Sequence, residues 1–509
     1  MFLAGEYNKM MKTIRGLINE NKDDNIAITS DDSQEIKFSD LKQHIFNISG
    51  QLSANGISNK DRAAIVLPNG PEMATAFLSI SSYMSAAPLN PSYKLSEYEF
   101  YLDDLKPKIL IVEKNSSNPV IEAAKKLKIE ISEIQKIEGA PLGIFNLYNK
   151  SSSFELSNEE DEALVLHTSG TTSRPKVVPL TNKNIYSSAI NIRKTLELTS
   201  DDHCFNIMPL FHIHGLIAIL SASISAGASV YASDGFNALK FLDKAKSEKI
   251  TWYSGVPTMH QAILMRAQKN LKLAESLALR FVRSSSASLP PAIFDQLKDV
   301  FKTPVIEAYG MTEATHQMTS NPMPPMFQKA GFVGKPAGPE VCIMDKEGNI
   351  LRNGLEGEVC IRGDNVTKGY ENNDEANKLS FINGWFRTGD QGFFDNDGYL
   401  KISGRLKEII NRGGEKISPL EVDNILMEHE AIEQVVTFGV KDKLLGEAVG
   451  AAVVLKSNVE CTEEEIKTYA RRELANFKVP KYICFLDEIP KGATGKLQRI
   501  GLAKKLGLE

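Results

Sequence analysis

Short apolar runs rich in β-branched residues recur along the first 310 residues of this 509-residue chain, and helical segments separate them. The runs lie at residues 63–69, 108–113, 163–170, 251–255 and 303–310. This alternation is typical of α/β layers with largely parallel sheets. Ligands bind such sheets at the carboxyl ends of the strands, and clusters of Gly, Ser and Thr follow several of these runs.

The pattern changes near Gly331, where short strands and turn signals predict a β-rich subdomain. Helix and strand patterns alternate again after Arg405 over about 100 residues, the size of a small domain. A chain of 509 residues also exceeds what one hydrophobic core usually supports. We therefore predict an α/β protein with a large domain over residues 1–404, built from layered α/β subdomains plus the β-rich subdomain, and a small α+β domain over residues 405–509.

Charge and cysteine content exclude several classes of protein. The net charge is −5, and no Lys/Arg cluster with interleaved aromatic residues occurs, so nucleic acid is not an expected partner. The five cysteines are scattered and form no CxxC pair, which favours a reducing compartment. Neither a signal peptide nor an SKL-type ending is found, and we expect a cytoplasmic protein.

Residues 203–233 contain no Asp, Glu, Lys or Arg, and this length could cross a bilayer. Pro209, His212, His214, five serines and two glycines interrupt the hydrophobicity of the segment, however. Polar groups are costly in hydrocarbon, and the immediate flanks offer acidic residues instead of Lys/Arg anchors. We therefore expect a buried core helix with a polar entrance and no stable insertion into a membrane.

The most informative segment is TSGTTSRPK, residues 168–176, directly after a buried-looking strand. Small hydroxyl residues around glycine let backbone N–H groups and hydroxyls converge on phosphate oxygens, and the following lysine adds positive charge. The spacing of a Walker A loop is absent. Taken alone, the segment fits an ATP phosphate cradle and a Ser/Thr-rich surface turn about equally well.

TSGTTSRPK resembles the phosphate loop of the acyl-adenylate-forming superfamily, which includes acyl- and aryl-CoA ligases, luciferases and peptide-synthetase adenylation domains. The later motifs of that family follow in its order and extend the match over almost the whole chain: RSSSAS at 283–288, YGMTE at 309–313, WFRTGD at 385–390, GRLKEIINRGGEKI at 404–417 and PKGATGK at 490–496. Any one of these motifs is weak evidence, but six in order make coincidence implausible.

The resemblance implies a nucleotide site. The ring of Tyr309 would lie against adenine, Asp390 would accept hydrogen bonds from the ribose hydroxyls, and Thr312 would contact the α-phosphate. Glu313 would hold Mg²⁺, which prefers hard carboxylate oxygens. The full set implied to bind ATP or AMP is Thr168, Ser169, Gly170, Thr171, Thr172, Lys176, Ser286, Ala287, Tyr309, Gly310, Thr312, Asp390, Arg405 and Lys496.

The family mechanism implies the other catalytic groups and the cosubstrates. A carboxylate attacks the α-phosphorus of ATP to give an acyl-AMP, and coenzyme A then takes the acyl group. Lys496, with Thr312 and Glu313, is the implied catalytic set, because a lysine can bridge the carboxylate and the α-phosphate. The small domain would be mobile, with a hinge near Lys407, and Gly413 and Gly414 would approach the pantetheine tunnel.

Four strings, PLFHIHGL, FVRSSSASL, EAYGMTEATHQMTSNP and CIRGDNVTKGY, resemble the oxalate-CoA ligase branch more than the superfamily at large. Ser173 and Arg174 also depart from the commoner Gly-x-Pro-Lys loop ending. Polar His214, Ser288 and His316 stand where ligases for long chains are expected to present apolar side chains. A fatty chain would leave each unpaired at a cost of about 1–3 kcal/mol, whereas a second carboxylate could accept their hydrogen bonds.

Other interpretations stay open at this stage. Each of these three polar residues could be a satisfied core residue, and the acid could be another short-chain, fatty or aromatic one. An enzyme that loads a carrier protein is a second alternative, and an oxygen-dependent luciferase-like activity is a third. A catalytically inactive nucleotide-binding protein is disfavoured, because Glu313, Asp390 and Lys496 are all present.

Overall fold

The computed structural model describes residues 11–31, 34–168, 175–492 and 495–508. The α-helices in these ranges are α1 (Ile14–Asn19), α2 (Phe38–Ala54), α3 (Pro71–Ser81), α4 (Leu95–Leu105), α5 (Val120–Leu127), α6 (Asn182–Thr195), α7 (Ala222–Ser225), α8 (Phe241–Ser247), α9 (Pro257–Ala267), α10 (Leu271–Glu275), α11 (Pro291–Phe301), α12 (Asp374–Ser380), α13 (Pro419–Leu426), α14 (Glu463–Glu473) and α15 (Leu502–Lys505). A π-helix spans His214–Ser221, and a 3₁₀ turn spans Thr312–Ala314.

The strands are β1 (Ile26–Ser30), β2 (Gln34–Lys37), β3 (Arg62–Val66), β4 (Ser85–Pro88), β5 (Ile109–Val112), β6 (Glu130–Glu133), β7 (Gln135–Lys136), β8 (Phe145–Asn146), β9 (Glu162–Thr168), β10 (Lys176–Thr181), β11 (His203–Asn206), β12 (Ser229–Ala232), β13 (Trp252–Gly255), β14 (Phe281–Ser284), β15 (Val305–Met311), β16 (His316–Ser320), β17 (Lys335–Pro336), β18 (Glu340–Met344), β19 (Gly357–Arg362), β20 (Phe381–Ile382), β21 (Trp385–Phe394), β22 (Leu400–Arg405), β23 (Ile410–Arg412), β24 (Glu415–Ile417), β25 (Ile432–Asp442), β26 (Gly446–Leu455) and β27 (Tyr482–Phe485).

Two sheets with helices packed against them form the first part of the chain. Among the described residues, the larger sheet has nine strands in the order β17-β16-β15-β14-β13-β11-β12-β1-β2, and its central strands are parallel. The second sheet has the order β10-β9-β4-β3-β5-β6 and is parallel except for the β9–β10 hairpin. Strands covered on both faces bury nearly every side chain, which explains the nearly continuous apolar runs in the sequence. The α/β fold class predicted from the sequence is confirmed.

The uncharged stretch 203–233 is partly helical and mostly buried within the larger sheet and its helices. Its two ends are β11 and β12, which pair with each other and so satisfy their backbone groups in the sheet. Only residues 214–225 are helical, so the expected core helix is shorter than the uncharged stretch suggests. Within the described ranges, no helix is long and apolar enough to span a bilayer.

The remaining sheets are antiparallel for the most part. β18, β19, β20, β21 and β22 form the β-rich subdomain predicted after Gly331. A last sheet, in the order β24-β23-β26-β25 with β27 beside β26, packs against α13 and α14 around a core that includes Ile417, Leu426 and Ile466. The connection between these two sheets runs from Arg405, the last residue of β22, to Ile410, the first residue of β23.

Candidate active site

The two ends of the predicted phosphate loop lie side by side. Thr168 ends β9, Lys176 begins β10, and the two residues are register partners in this hairpin. The Lys176 ammonium lies 4.2 Å from the centroid of the Tyr370 ring, and its surroundings lower the pKa of Lys176, first through burial. The loop positions Ser169, Gly170, Thr171 and Thr172, together with Ser173 and Arg174, lie outside the described residues.

Glu313 presents a buried carboxylate beside this hairpin. It lies in the 3₁₀ turn that begins at half-buried Thr312, directly after β15. The Tyr370 hydroxyl donates a hydrogen bond of 2.7 Å to Glu313 Oε1, and burial raises the pKa of this carboxyl group. Among the described residues, no cluster of three His, Cys, Asp or Glu side chains could hold a metal. A single carboxylate nevertheless fits Mg²⁺, which usually keeps several waters and binds substrate phosphates.

Tyr309, Asp390 and Arg405 form a network of hydrogen bonds and charges. Asp390 and Arg405 are register partners on β21 and β22, and Arg405 Nε lies 3.0 Å from Asp390 Oδ1. The Tyr309 hydroxyl donates to the second oxygen, Oδ2, of the same carboxylate. A carboxylate accepts about four hydrogen bonds, so Asp390 retains acceptor capacity for further hydroxyl groups.

Gly310 has a structural reason to be glycine. A Cβ atom at this position would lie 1.6 Å from the carbonyl oxygen of His316 on the adjacent strand, a distance at which two atoms cannot coexist. The family resemblance places this glycine in the set implied to bind ATP or AMP. The structure shows that β16 itself occupies the space a side chain would need.

Lys496, in the C-terminal part of the chain, lies near Arg405 and Asp390, whose charges act on its ammonium. The Thr258 hydroxyl donates a 2.8 Å hydrogen bond to the carbonyl oxygen of Gly495, so α9 holds the loop that carries Lys496. Lys496 is an exposed residue. Partial desolvation by nearby protein atoms, followed by the positive charge of Arg405, lowers its pKa. Burial, with Lys496 nearby, also lowers the pKa of His212 to about 4.

The predicted hinge lies in an exposed turn. Lys407 falls between β22 and β23, where the backbone N–H of Glu408 donates to the carbonyl oxygen of Arg405 at 2.9 Å. Gly413 and Gly414 close the β23–β24 hairpin with φ angles of 60° and 94°. A two-residue hairpin turn with positive φ at both positions explains the paired glycines, and both lie on the surface.

His214 and His316 meet in the interior of the protein. Their ring centroids are 4.9 Å apart, and both side chains are essentially excluded from solvent. His214 Nδ1 lies 3.0 Å from Ser286 Oγ, and its Nε2 lies 2.6 Å from Ser254 Oγ. Burial lowers the pKa of both histidines well below the ordinary value, so both rings are neutral at physiological pH.

Ser288 does not join the two histidines, because its side chain is exposed. The serine that contacts His214 is Ser286, whose φ of 71° turns the chain just after β14 and ends the alternation of side chains along the strand. Ala287 follows this turn and is half buried. Of the three residues predicted for the acid, the structure therefore brings together His214 and His316.

Comparison with known proteins identifies the family. The model of the AMP-binding enzyme family matches residues 18–371, and that of the AMP-binding enzyme C-terminal domain matches residues 421–496. An oxalate–CoA ligase of Arabidopsis thaliana is 47% identical over 88% of this chain and 89% of its own length. An oxalate–CoA ligase of Saccharomyces cerevisiae is 40% identical over 94% of both chains. ATP-bound MatB from Rhodopseudomonas palustris superposes with a TM-score of 0.89 at 27% identity, covering 97% of this chain and 99% of that one.

The chain belongs to the AMP-binding enzyme family. This membership confirms the predicted resemblance to the acyl-adenylate-forming superfamily and its oxalate-CoA ligase branch. The chain is an AMP-forming acid–CoA ligase, as its sequence indicated.

Sequence reasoning about this AMP-binding enzyme missed four polar residues of the site. Tyr370 donates a hydrogen bond to Glu313, and His212 lies near Lys496. Ser254 contacts both His214 and the fully buried Arg283. Arg283 carried a usable signal, because a charged residue in the middle of a buried strand rarely lacks a function or a partner. Ser254 carried no such signal, since small hydroxyl residues are common in buried strands.

Proposed function

We propose that this enzyme joins oxalate to coenzyme A through an oxalyl-adenylate. One carboxylate oxygen of oxalate attacks the α-phosphorus of ATP, and the bond from that phosphorus to the bridging oxygen breaks, releasing pyrophosphate. The sulfur of coenzyme A then attacks the acyl carbon, its proton is lost, and AMP leaves. The observation that carries the choice of acid is the buried pair His214 and His316.

His316 has hydrogen-bonding capacity that the described protein does not meet. Both of its ring nitrogens are buried and lack a hydrogen-bond partner among the described residues. A neutral imidazole offers one N–H donor and one acceptor. Its backbone φ of 92° is also unusual for a residue with a side chain, and such strain is concentrated at functional sites.

A small acid with a second carboxylate suits this pocket best. A carboxylate oxygen can accept the His316 N–H, whereas a fatty chain would leave the buried ring unsatisfied at about 1–3 kcal/mol. Acetate resembles oxalate in size but carries a methyl group in place of the second carboxylate. Two relatives with high identity over most of the chain bear the name oxalate–CoA ligase, which supports the same choice.

The nucleotide end has a separate set of proposed roles. The ring of Tyr309 would face adenine beside Gly310, and the acceptor capacity left on Asp390 would serve the ribose hydroxyls, with Arg405 beside them. Thr312 would contact the α-phosphate, and Glu313 would hold Mg²⁺. Bound Mg²⁺ supplies positive charge that offsets the phosphates. The segments proposed to hold the phosphates are Thr168 to Thr172, Lys176 and Ser286 to Ala287.

Lys496 would act in the first half-reaction only. Its ammonium would bridge the attacking carboxylate and the α-phosphate as negative charge shifts between them. We place the domain boundary between residues 404 and 405, and the small domain would turn near Lys407 after adenylation. That motion would withdraw Lys496 and bring Gly413 and Gly414 towards the entry path of coenzyme A.

A substrate panel tests the proposed acid. Wild-type enzyme is incubated with ATP, Mg²⁺ and coenzyme A, and pyrophosphate release is followed with oxalate, malonate, acetate, a medium-chain fatty acid and a cinnamate-type acid. We expect oxalate to give the highest kcat/KM, by roughly 10- to 100-fold over acetate, the gain from one or two satisfied buried hydrogen bonds. A fatty or aromatic acid as the best substrate would reject oxalate and leave the acid–CoA ligase assignment standing.

A further inference from the structure

Arg283 is a buried cation that forms no ion pair with any residue that the structure describes. It lies in the middle of β14 with no exposed surface and is among the largest fully buried side chains of the described protein. Burial lowers its pKa to about 9, and at neutral pH the guanidinium is still protonated. Within the described residues, its recorded partners are a hydroxyl and an amide oxygen, with no carboxylate among them, and its Nε has no hydrogen-bond partner.

An uncompensated charge in a protein interior needs an explanation. Removing an ion from water costs several kcal/mol even after relaxation, and buried charges are therefore usually paired. Arg283 Nη1 donates to Ser254 Oγ at 3.2 Å, and Nη2 donates to Gln317 Oε1 at 3.3 Å. Both bonds are long and go to neutral groups, so they offset little of that cost.

The arginine is connected to the acid pocket through Ser254. Ser254 Oγ accepts from Arg283 and lies 2.6 Å from Nε2 of His214. Because a guanidinium only donates, the hydroxyl can direct its own proton at His214 Nε2. His214 then carries its proton on Nδ1, which faces Ser286 Oγ at 3.0 Å. Through Ser254, Arg283 thereby fixes the tautomer of His214 that carries its proton on Nδ1.

Arg283 also acts on the second histidine of the pocket. Gln317, its other partner, directly follows His316 on β16. Burial first, and then the positive charge of Arg283, lowers the pKa of His316, and the same charge contributes at His214. The guanidinium is therefore close enough to both rings for its charge to add to the effect of burial.

We propose that Arg283 is the positioning residue that makes this pocket selective for a dianionic acid. Its positive field stabilises the second carboxylate, and its bond to Ser254 fixes the proton of His214 on the edge that faces Ser286. The inference rests on the proposed function and adds the residue responsible for the choice of acid. A monocarboxylate of similar size, such as acetate, gains nothing from this charge.

The test compares four variants with the wild type. Arg283→Met removes the charge at similar volume, Arg283→Lys keeps the charge without the two-pronged contact, and Ser254→Ala breaks the link to His214. Arg266→Met is the matched control, because it removes the same charge from an exposed position on α9. The measurements are kcat/KM for oxalate and for acetate, the KM for ATP and the melting temperature.

We expect Arg283→Met to lower kcat/KM for oxalate by roughly 30- to 100-fold, mostly through KM, with acetate changed less than about threefold. Arg283→Lys should recover part of the oxalate preference. Ser254→Ala should lower kcat/KM for oxalate about tenfold. This variant tests the inference if Arg283→Met does not fold. Arg266→Met should match the wild type in every measurement.

The outcomes separate this inference from the proposed function. The role of Arg283 is overturned if Arg283→Met keeps the wild-type preference for oxalate. If Arg283→Met does not fold, the same result in Ser254→Ala overturns it. In both cases oxalate remains the substrate. An equal loss with both acids, accompanied by a lower melting temperature, assigns Arg283 to structure and also overturns the inference. Wild-type enzyme that does not prefer oxalate overturns the proposed function, and the inference with it.

Discussion

The two ends of the proposed site, one for the nucleotide and one for the acid, satisfy their buried polar groups in different ways. At the nucleotide end, Asp390 is paired with Arg405 and Tyr309, and Glu313 accepts from Tyr370. At the acid end, Arg283 has no carboxylate among its recorded partners and His316 has no hydrogen-bond partner within the described residues. The charged groups of the first arrangement have partners within the protein, whereas we propose that the acid substrate completes the second.

This difference separates two properties of the enzyme. Paired groups hold their geometry whichever acid is present, so the nucleotide end should serve any carboxylic acid equally well. Groups that lack protein partners contribute fully only when the ligand supplies the missing charge and acceptors. The acid end should therefore decide which acid is used, and the nucleotide end should decide how fast any acid is adenylated.

The largest expected effect belongs to Lys496. Lys496→Ala should slow adenylation by roughly 10²- to 10³-fold with every acid, because it removes one preorganised charge from the transition state. The oxalate-to-acetate ratio of kcat/KM should stay unchanged. Thioester formation from supplied acyl-AMP and coenzyme A should largely survive, since the proposed domain motion withdraws Lys496 before that step.

Two measurements would contradict this expectation. Wild-type rates of acyl-AMP formation in Lys496→Ala, followed as pyrophosphate release in a single turnover, would remove the lysine from the first half-reaction. A changed oxalate-to-acetate ratio would show that the nucleotide end also selects the acid. Lys491→Ala serves as a control, because it removes an exposed lysine five residues earlier that pairs with Glu488 on the surface.

A smaller effect is expected from pH. Burial lowers the pKa of His214 and of His316 well below the ordinary value near 6.5. Both rings should therefore stay neutral even at pH values somewhat below 6.5. The oxalate-to-acetate ratio should therefore be constant between about pH 6 and pH 8. At higher pH, adenylation of both acids should fall together as Lys496 loses its proton, at a pH below the ordinary pKa of 10.5. A ratio that rises as pH falls towards 6 would mean that a pocket histidine gains a proton at its ordinary pKa.

The structure groups the residues assigned to the nucleotide more closely than those assigned to the acid. Asp390, Arg405 and Tyr309 lie in motifs whose order along the chain is characteristic of the family, and β-strand pairing then brings them together. Ser286 and Ser288 are harder to distinguish, because the choice between them depends on a single positive φ at Ser286. No periodicity in the sequence encodes that turn.

Gly310 and Arg283 illustrate two further limits. Gly310 was predicted as a nucleotide-binding position, and the structure gives the glycine another reason: a neighbouring strand approaches it, which only the sheet register reveals. Arg283 is the first residue of the RSSSAS motif, in which the sequence analysis assigns binding roles only to Ser286, Ala287 and Ser288. Its significance depends on the lack of a nearby carboxylate in the described protein, and this is a property of three-dimensional packing.

The most direct test of the account is a crossed comparison of His316→Ala and Asp390→Asn, in which the KM for ATP and the oxalate-to-acetate ratio of kcat/KM are measured for both. We expect His316→Ala to reduce the ratio by roughly 10- to 100-fold with little change in the KM for ATP. Asp390→Asn should raise the KM for ATP by about tenfold and leave the ratio unchanged. Variants that each change both quantities would contradict the separation of the two ends of the proposed site.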